Sequence, residues 1–216
     1  IKRIVGPYQD SYSPNGIIGE KDACGVGFIA NIKGVESNWI LKQSLKGLNC
    51  MEHRGGCGGD SDSGDGAGIL CSIPWDYIEK EVNIENKKDY FKGLGMIFMP
   101  NKKEKIEECK SICDEEAKQL RINKTSWRTV PVNNEILGPL AKANAPFISQ
   151  WILFIDKKDN NDIEKILFQL RKRIEKKIRE SFKNHVGDCE FYFASLSSKT
   201  VVYKGMVRSE ILSEFY

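Results

Sequence analysis

Cys24 is followed by Gly25-Val26-Gly27 and preceded by Ala23, and His53-Arg54-Gly55 stands further along the chain. A thiol becomes a nucleophile only when a base can take its proton, since its ordinary pKa is about 8.5. Glycines beside such a thiol let a substrate approach the backbone closely, and an arginine past an adjoining helix can reach back toward it. A cysteine in an apolar strand is ordinarily inert packing. The small residue before Cys24, the glycines after it and the His-Arg-Gly element together single it out as the candidate nucleophile.

Other groupings are weaker. Cys50, His53 and Cys57, with Cys71 as a fourth, have ligand types that suit zinc, but the paired Cys-x-x-Cys knuckle is missing and Cys50 falls on the apolar side of a helix. They define a metal-binding alternative that one bound zinc per molecule would favour. Asp60-Ser-Asp62-Ser-Gly64-Asp65-Gly66 is not a calcium loop, because the twelfth residue is Cys71 where a bidentate glutamate is required. Nor is it a phosphate-binding loop, since no Gly-Lys-Ser/Thr follows. The basic run Arg171 to Arg179 interleaves its charges with an apolar stripe and reads as a solvated helix face.

The elements that must position these residues follow from apolar spacing. Cys24-Gly-Val-Gly-Phe-Ile-Ala-Asn-Ile-Lys33 predicts a buried strand, and Ser37 predicts the cap of a helix carrying Ile40, Leu41, Leu45 and Leu48 and stopping near Gly55 and Gly56. A glycine and aspartate loop, 58–68, leads to a strand over Ile69 to Ile73. Further strands are expected at Leu94 to Met99, Phe147 to Ile155, Phe191 to Leu196 and Thr200 to Tyr203, the last two joined by Ser197-Ser198-Lys199. Helices are expected through Ile106, Cys109, Cys113, Ala117 and Leu120, and through Ile163 to Ile178. The order of strands and helices predicts a layered α+β core in one domain.

Bulk properties narrow the function further. The chain has 216 residues with 33 basic and 30 acidic side chains, and a net charge of +3 demands neither nucleic acid nor a membrane surface as partner. Its longest apolar runs fall far short of the roughly 20 residues that cross a bilayer. Seven cysteines, scattered and odd in number, suit thiols in a reducing compartment. Residues 1 to 22 are irregular, no secretory signal is visible, and the initial Ile1 implies a start upstream or a processed one.

Three segments, Asp22-Ala-Cys24-Gly-Val-Gly-Phe-Ile-Ala, Cys50-Met-Glu-His-Arg54-Gly-Gly and Asp62-Ser-Gly-Asp65-Gly-Ala-Gly, closely resemble the start of the large glutamate synthases. The first two elements alone resemble class II glutamine amidotransferases generally, which leaves another member of that class, or a catalytically silent interaction domain, as alternatives. The wording Met-Glu-His-Arg-Gly-Gly-Cys, the later Ile-Pro-Trp75 and Ser197-Ser-Lys-Thr-Val-Val-Tyr-Lys-Gly205 are most similar to the ferredoxin-dependent form of cyanobacteria and plastids, so the resemblance spans the chain from residue 22.

This resemblance implies an N-terminal-nucleophile fold, a four-layer αββα sandwich. It implies a leader, 1–23, whose removal makes Cys24 the first residue of an amidotransferase domain, 24–216. Glutamine is then the substrate, Arg54 and Gly55 organise the site beside Cys24, and ammonia passes on to 2-oxoglutarate. FMN and an iron-sulfur cluster are implied in the complete enzyme and no cofactor or metal in this segment; ferredoxin is implied as a partner through other domains. The compartment implied is a cyanobacterial cytoplasm or the plastid stroma. The family's Asn-Gly oxyanion pair has no counterpart here except Asn15-Gly16 in the leader, so it and the substrate clamp are expected beyond Tyr216. On that reading the domain is incomplete at its C-terminus and the fragment alone is inactive.

Overall fold

The computed structural model describes residues 25–52, 63–82, 90–157, 162–182 and 191–216. In chain order the elements are α1 Asn38–Asn49, β1 Ala67–Ser72, α2 Trp75–Glu81, β2 Tyr90–Met99, α3 Lys103–Gln119, β3 Lys124–Thr129, α4 Pro139–Ala143, β4 Phe147–Asp156, α5 Ile163–Ser181, β5 Tyr192–Ser197, β6 Thr200–Gly205 and α6 Leu212–Phe215, with single 3-10 turns at Asn134–Ile136 and Ser209–Ile211. Among the described residues the strand pairs are antiparallel: four strands in the order β3-β4-β2-β5, and a separate pair, β1-β6. This is the mixed α and β architecture expected from the alternating periodicities.

β2 and β4 are apolar on both faces over most of their length, because both faces of the four-stranded sheet are covered. On one face Ile97, Met99, Trp151, Leu153 and Ile155 meet Ile106, Cys109 and Cys113 of α3 and Leu167, Leu170, Ile174 and Ile178 of α5. On the other face Leu94, Met96, Phe98, Ile148, Ile152 and Phe154 pack with Val201 of β6, Ile78 of α2 and Phe215 of α6. Adjacent residues along one strand serve opposite cores, as the two-residue repeat of a strand requires. Each fully buried Leu, Ile or Met contributes about 1.5 to 3 kcal/mol. Asp162 caps α5 by accepting from the Lys165 N–H at 3.2 Å. In the basic run on this helix Arg171 and Lys172 pair with Glu175 and Arg173 pairs with Glu116, while Leu170, Ile174 and Ile178 turn to the core.

A partly buried polar tie joins α3 to the sheet. Asp114 of α3 accepts from Thr125 Oγ1 at 2.8 Å and from the indole N–H groups of Trp127 and Trp151, both at 3.0 Å. The two indoles stack with centroids 5.3 Å apart. Asp114→Ala leaves two indole donors and a hydroxyl without their acceptor, and is expected to destabilise the chain by about 3 to 5 kcal/mol. Urea unfolding followed by tryptophan fluorescence measures this; a loss below about 1 kcal/mol would show that water replaces the carboxylate.

Several expectations need correction. Residues 25–33 form no strand: Val26, Phe28 and Ile32 are exposed at 90%, 95% and 105%. An apolar run makes a strand only when an edge offers its N–H and C=O groups partners, and none of the described strands pairs with it. Ser37 does cap α1, accepting from the Ile40 N–H at 3.4 Å, but the helix ends at Asn49, short of Gly55 and Gly56. None of its residues is fully buried, and Leu45 and Leu48 pack only in part against the second core. With so little apolar anchoring, the helix stops where its stripe ends. The Ser197 to Lys199 turn stands as predicted, its Ser198 N–H and both serine hydroxyls donating to Glu164, but it carries the chain from one sheet into the other.

Candidate active site

Cys24, Arg54 and Gly55 lie outside the described residues, as do His53 and Cys57; what frames them is described. Gly25, next to Cys24, lies against Met51, in the segment that leads into His53-Arg54: a Cβ on Gly25 would be 3.1 Å from Met51 Sδ and 3.3 Å from its Cβ. Gly27 is also beside Met51, at 3.8 Å from Cε. The two motifs that sequence alone separates are thus in contact through their neighbours, and the small size of Gly25 is what lets the backbone settle there.

The glycine and aspartate loop has a packing role. A Cβ on Gly64 would lie 2.6 Å from the Arg208 nitrogen and the Val207 carbonyl carbon, a distance that no side chain tolerates. A Cβ on Gly68 would lie 2.7 Å from Lys204 Cβ, its partner in the β1-β6 ladder. Gly66 has φ +132°, a conformation that suits glycine. Buried Ser63 accepts the Ala141 N–H at 3.1 Å, fixing the loop's end to α4. These glycines bring β1 against β6.

Glu52 stands inside the Met-Glu-His-Arg motif, and nothing in its type or spacing signals its partner. Its carboxylate accepts the Ser209 N–H at 3.2 Å and the Ser209 hydroxyl. A cavity of about 930 Å³ lies between 29–38, α1 and the β1-β6 pair, lined by Ser44, Cys71, Tyr77, Arg128 and Tyr203 among others. The Arg128 guanidinium there is already engaged: it donates to Gln150 at 3.0 Å, to Tyr77 at 3.2 Å and to Glu81 at 3.3 Å. Burial pushes the Tyr203 hydroxyl above its usual range, so it is a hydrogen-bonding group and not a base.

Among the described residues no three His, Cys, Asp or Glu side chains converge on a metal position. The zinc alternative involves His53 and Cys57 and falls outside them. Burial, with Glu36 adding repulsion, pushes the Cys71 thiol up; burial pushes Cys113 well up, helped by Cys109 and Asp114. Both are poor nucleophiles near neutral pH.

Residues 24–216 match the class-II glutamine amidotransferases over their whole span, and the chain belongs to that family. Among curated proteins it is similar to ferredoxin-dependent glutamate synthases. It is 42% identical over 214 residues to the chloroplastic enzyme of Oryza sativa subsp. japonica, which covers 97% of this chain and 13% of that protein. It is 43% identical to the chloroplastic enzyme of Spinacia oleracea and 41% identical to ferredoxin-dependent glutamate synthase 2 of Synechocystis sp., each match covering 93% of this chain and 12% of the relative. The chain therefore spans only 12 to 13% of the length of these relatives.

Proposed function

We propose that the chain supplies the glutaminase site of a ferredoxin-dependent glutamate synthase, with Cys24 as nucleophile. The observation that carries this reading is that the family match begins at Cys24 and that its neighbour Gly25 packs on Met51, at the approach to Arg54. Removal of residues 1–23 frees the Cys24 α-amino group, whose pKa of about 7.7 to 8.0 lets it take the thiol proton. The thiolate attacks the side-chain carbonyl carbon of glutamine. The C–N bond breaks, the proton held by the α-amino group goes to the leaving nitrogen, and ammonia departs from a glutamyl thioester. Water, deprotonated by the same amine, splits the thioester to glutamate and restores the thiol. Arg54 and Gly55 organise the site beside Cys24.

In the complete protein ammonia passes to a second site and aminates 2-oxoglutarate, with electrons from ferredoxin. FMN and an iron-sulfur cluster belong to that second reaction. The thioester chemistry involves no change of oxidation state and so needs neither group. The two antiparallel sheets, with α3 and α5 beyond one and α1 beside the other, support a four-layer N-terminal-nucleophile sandwich for the domain 24–216. No helix among the described residues is long and apolar enough to cross a membrane. The names of the relatives support a plastid stroma or a cyanobacterial cytoplasm as the setting.

A glutamine-like diazoketone tests the assignment. The adduct is expected on Cys24, with Cys71 and Cys113 unlabelled in the folded protein because burial holds their thiols protonated. Peptide mapping that placed the adduct on Cys50, Cys57 or Cys71 would overturn it.

A further inference from the structure

Ser209 is 8% exposed, and all three of its polar groups are engaged at the end of α1. Its N–H and hydroxyl donate to Glu52 Oε2. Its carbonyl accepts from Asn49 at 2.9 Å once the Asn49 amide is turned to the orientation that satisfies its surroundings, in which it also donates to Leu45 O at 3.2 Å. Immediately upstream, the Val207 and Arg208 backbone is pressed against Gly64 with no room for a side chain. Val207 to Ser209 therefore touches Glu52 on one side and Gly64 on the other. The hydrogen bonds to Glu52 are charge-assisted and partly buried, which makes them stronger than a neutral pair.

We infer that Glu52 and Ser209 are positioning residues for the reaction: their bond fixes the backbone at Glu52, the residue that leads into His53-Arg54, and the glutamine reaction depends on that anchor. This rests on the reading of Arg54 as a site-organising residue. Neither side chain is assigned contact with glutamine. The carboxylate works by holding the backbone, so a neutral acceptor of the same shape should serve nearly as well, whereas truncation should not.

The test uses the complete protein that carries this chain. Glu52→Ala is expected to lower kcat/KM for glutamine, and the rate of Cys24 labelling by the diazoketone, by about 10- to 100-fold, the range that a misplacement of about 1 Å produces. Glu52→Gln should recover most of this, and Ser209→Thr should keep what Ser209→Ala loses. Ammonia-dependent synthesis should stay at its original rate in all four. Combining Glu52→Ala with Arg54→Ala should be no worse than Arg54→Ala alone, since both act through one side chain. Additive losses in the double variant, or equal losses in the glutamine- and ammonia-dependent rates, would reduce the contact to general stability and overturn the inference. If Glu52→Ala does not fold, the Ser209 pair carries the comparison, and equal rates in Ser209→Ala and Ser209→Thr overturn it. Arg54→Ala with unchanged glutamine rates would instead overturn the site reading, and the inference with it.

Discussion

Cys24→Ser is expected to lower glutamine-dependent glutamate synthesis in the complete protein on the order of 10⁴-fold or more, while ammonia-dependent synthesis stays within a few-fold of its original rate. The asymmetry follows from the proposed mechanism, in which only the glutamine route needs a thioester and ammonia supplied from solution bypasses it. A serine hydroxyl holds its proton far more tightly than a thiol, and an amine with a pKa near 8 cannot ionise it appreciably. Loss of a nucleophile in a well-studied hydrolase costs about 10⁶-fold in turnover, so the effect should dwarf that of any positioning residue. Steady-state assays with glutamine and with ammonium as alternative nitrogen donors give the two numbers. Substantial glutamine turnover by the serine variant would remove Cys24 from the mechanism.

The second large effect concerns residues 1–23. While Ala23 remains attached, the Cys24 nitrogen is a peptide amide without a basic lone pair, so the thiol has lost its base even if everything around it is folded. General-base assistance is worth about 10²- to 10⁴-fold, which sets the expected gap between protein that retains the segment and protein that begins Cys-Gly-Val-Gly-Phe. The mature form should also show kcat/KM for glutamine rising with pH through about 7 to 8 as the free amine loses its proton, and the retained form should lack that limb. N-terminal sequencing beside the pH profile of each form makes the comparison. Fully active protein with Ile1 to Ala23 still joined to Cys24 would refute the mechanism.

Much of the core was legible because its elements obey a single local period. The stripe through Ile106, Cys109, Cys113 and Ala117 and the one through Leu167, Leu170, Ile174 and Ile178 became the buried faces of α3 and α5. The run Phe147 to Ile155 became β4 almost to the residue. Four elements carry no such signal, the four-residue α6 among them. α2 has seven residues and buries only Ile78, too little to make a periodic signal. β3, Lys-Thr-Ser-Trp-Arg-Thr, is polar because its side chains serve Asp114, Gln150 and Tyr77 through hydrogen bonds, which no hydrophobic pattern reveals. α4, with five residues and a proline at its start, looks like a loop.

By itself the sequence determined the family, through side-chain identities at Cys24, His53-Arg54-Gly55 and Asp62 to Gly68, and it determined which helix faces and strands would seek burial. Both are local properties, carried by residue type and spacing along the chain. Only the tertiary structure decided that the apolar residues after Cys24 do not pair as a strand with any described neighbour, and that Gly64 and Gly68 serve the close approach of β1 and β6. It alone joined Glu52 to Ser209, residues separated by 157 positions. A hydrogen bond of that span has no signature in spacing, because it comes into being only when the packing of both sheets brings α1 and the end of β6 to the same place.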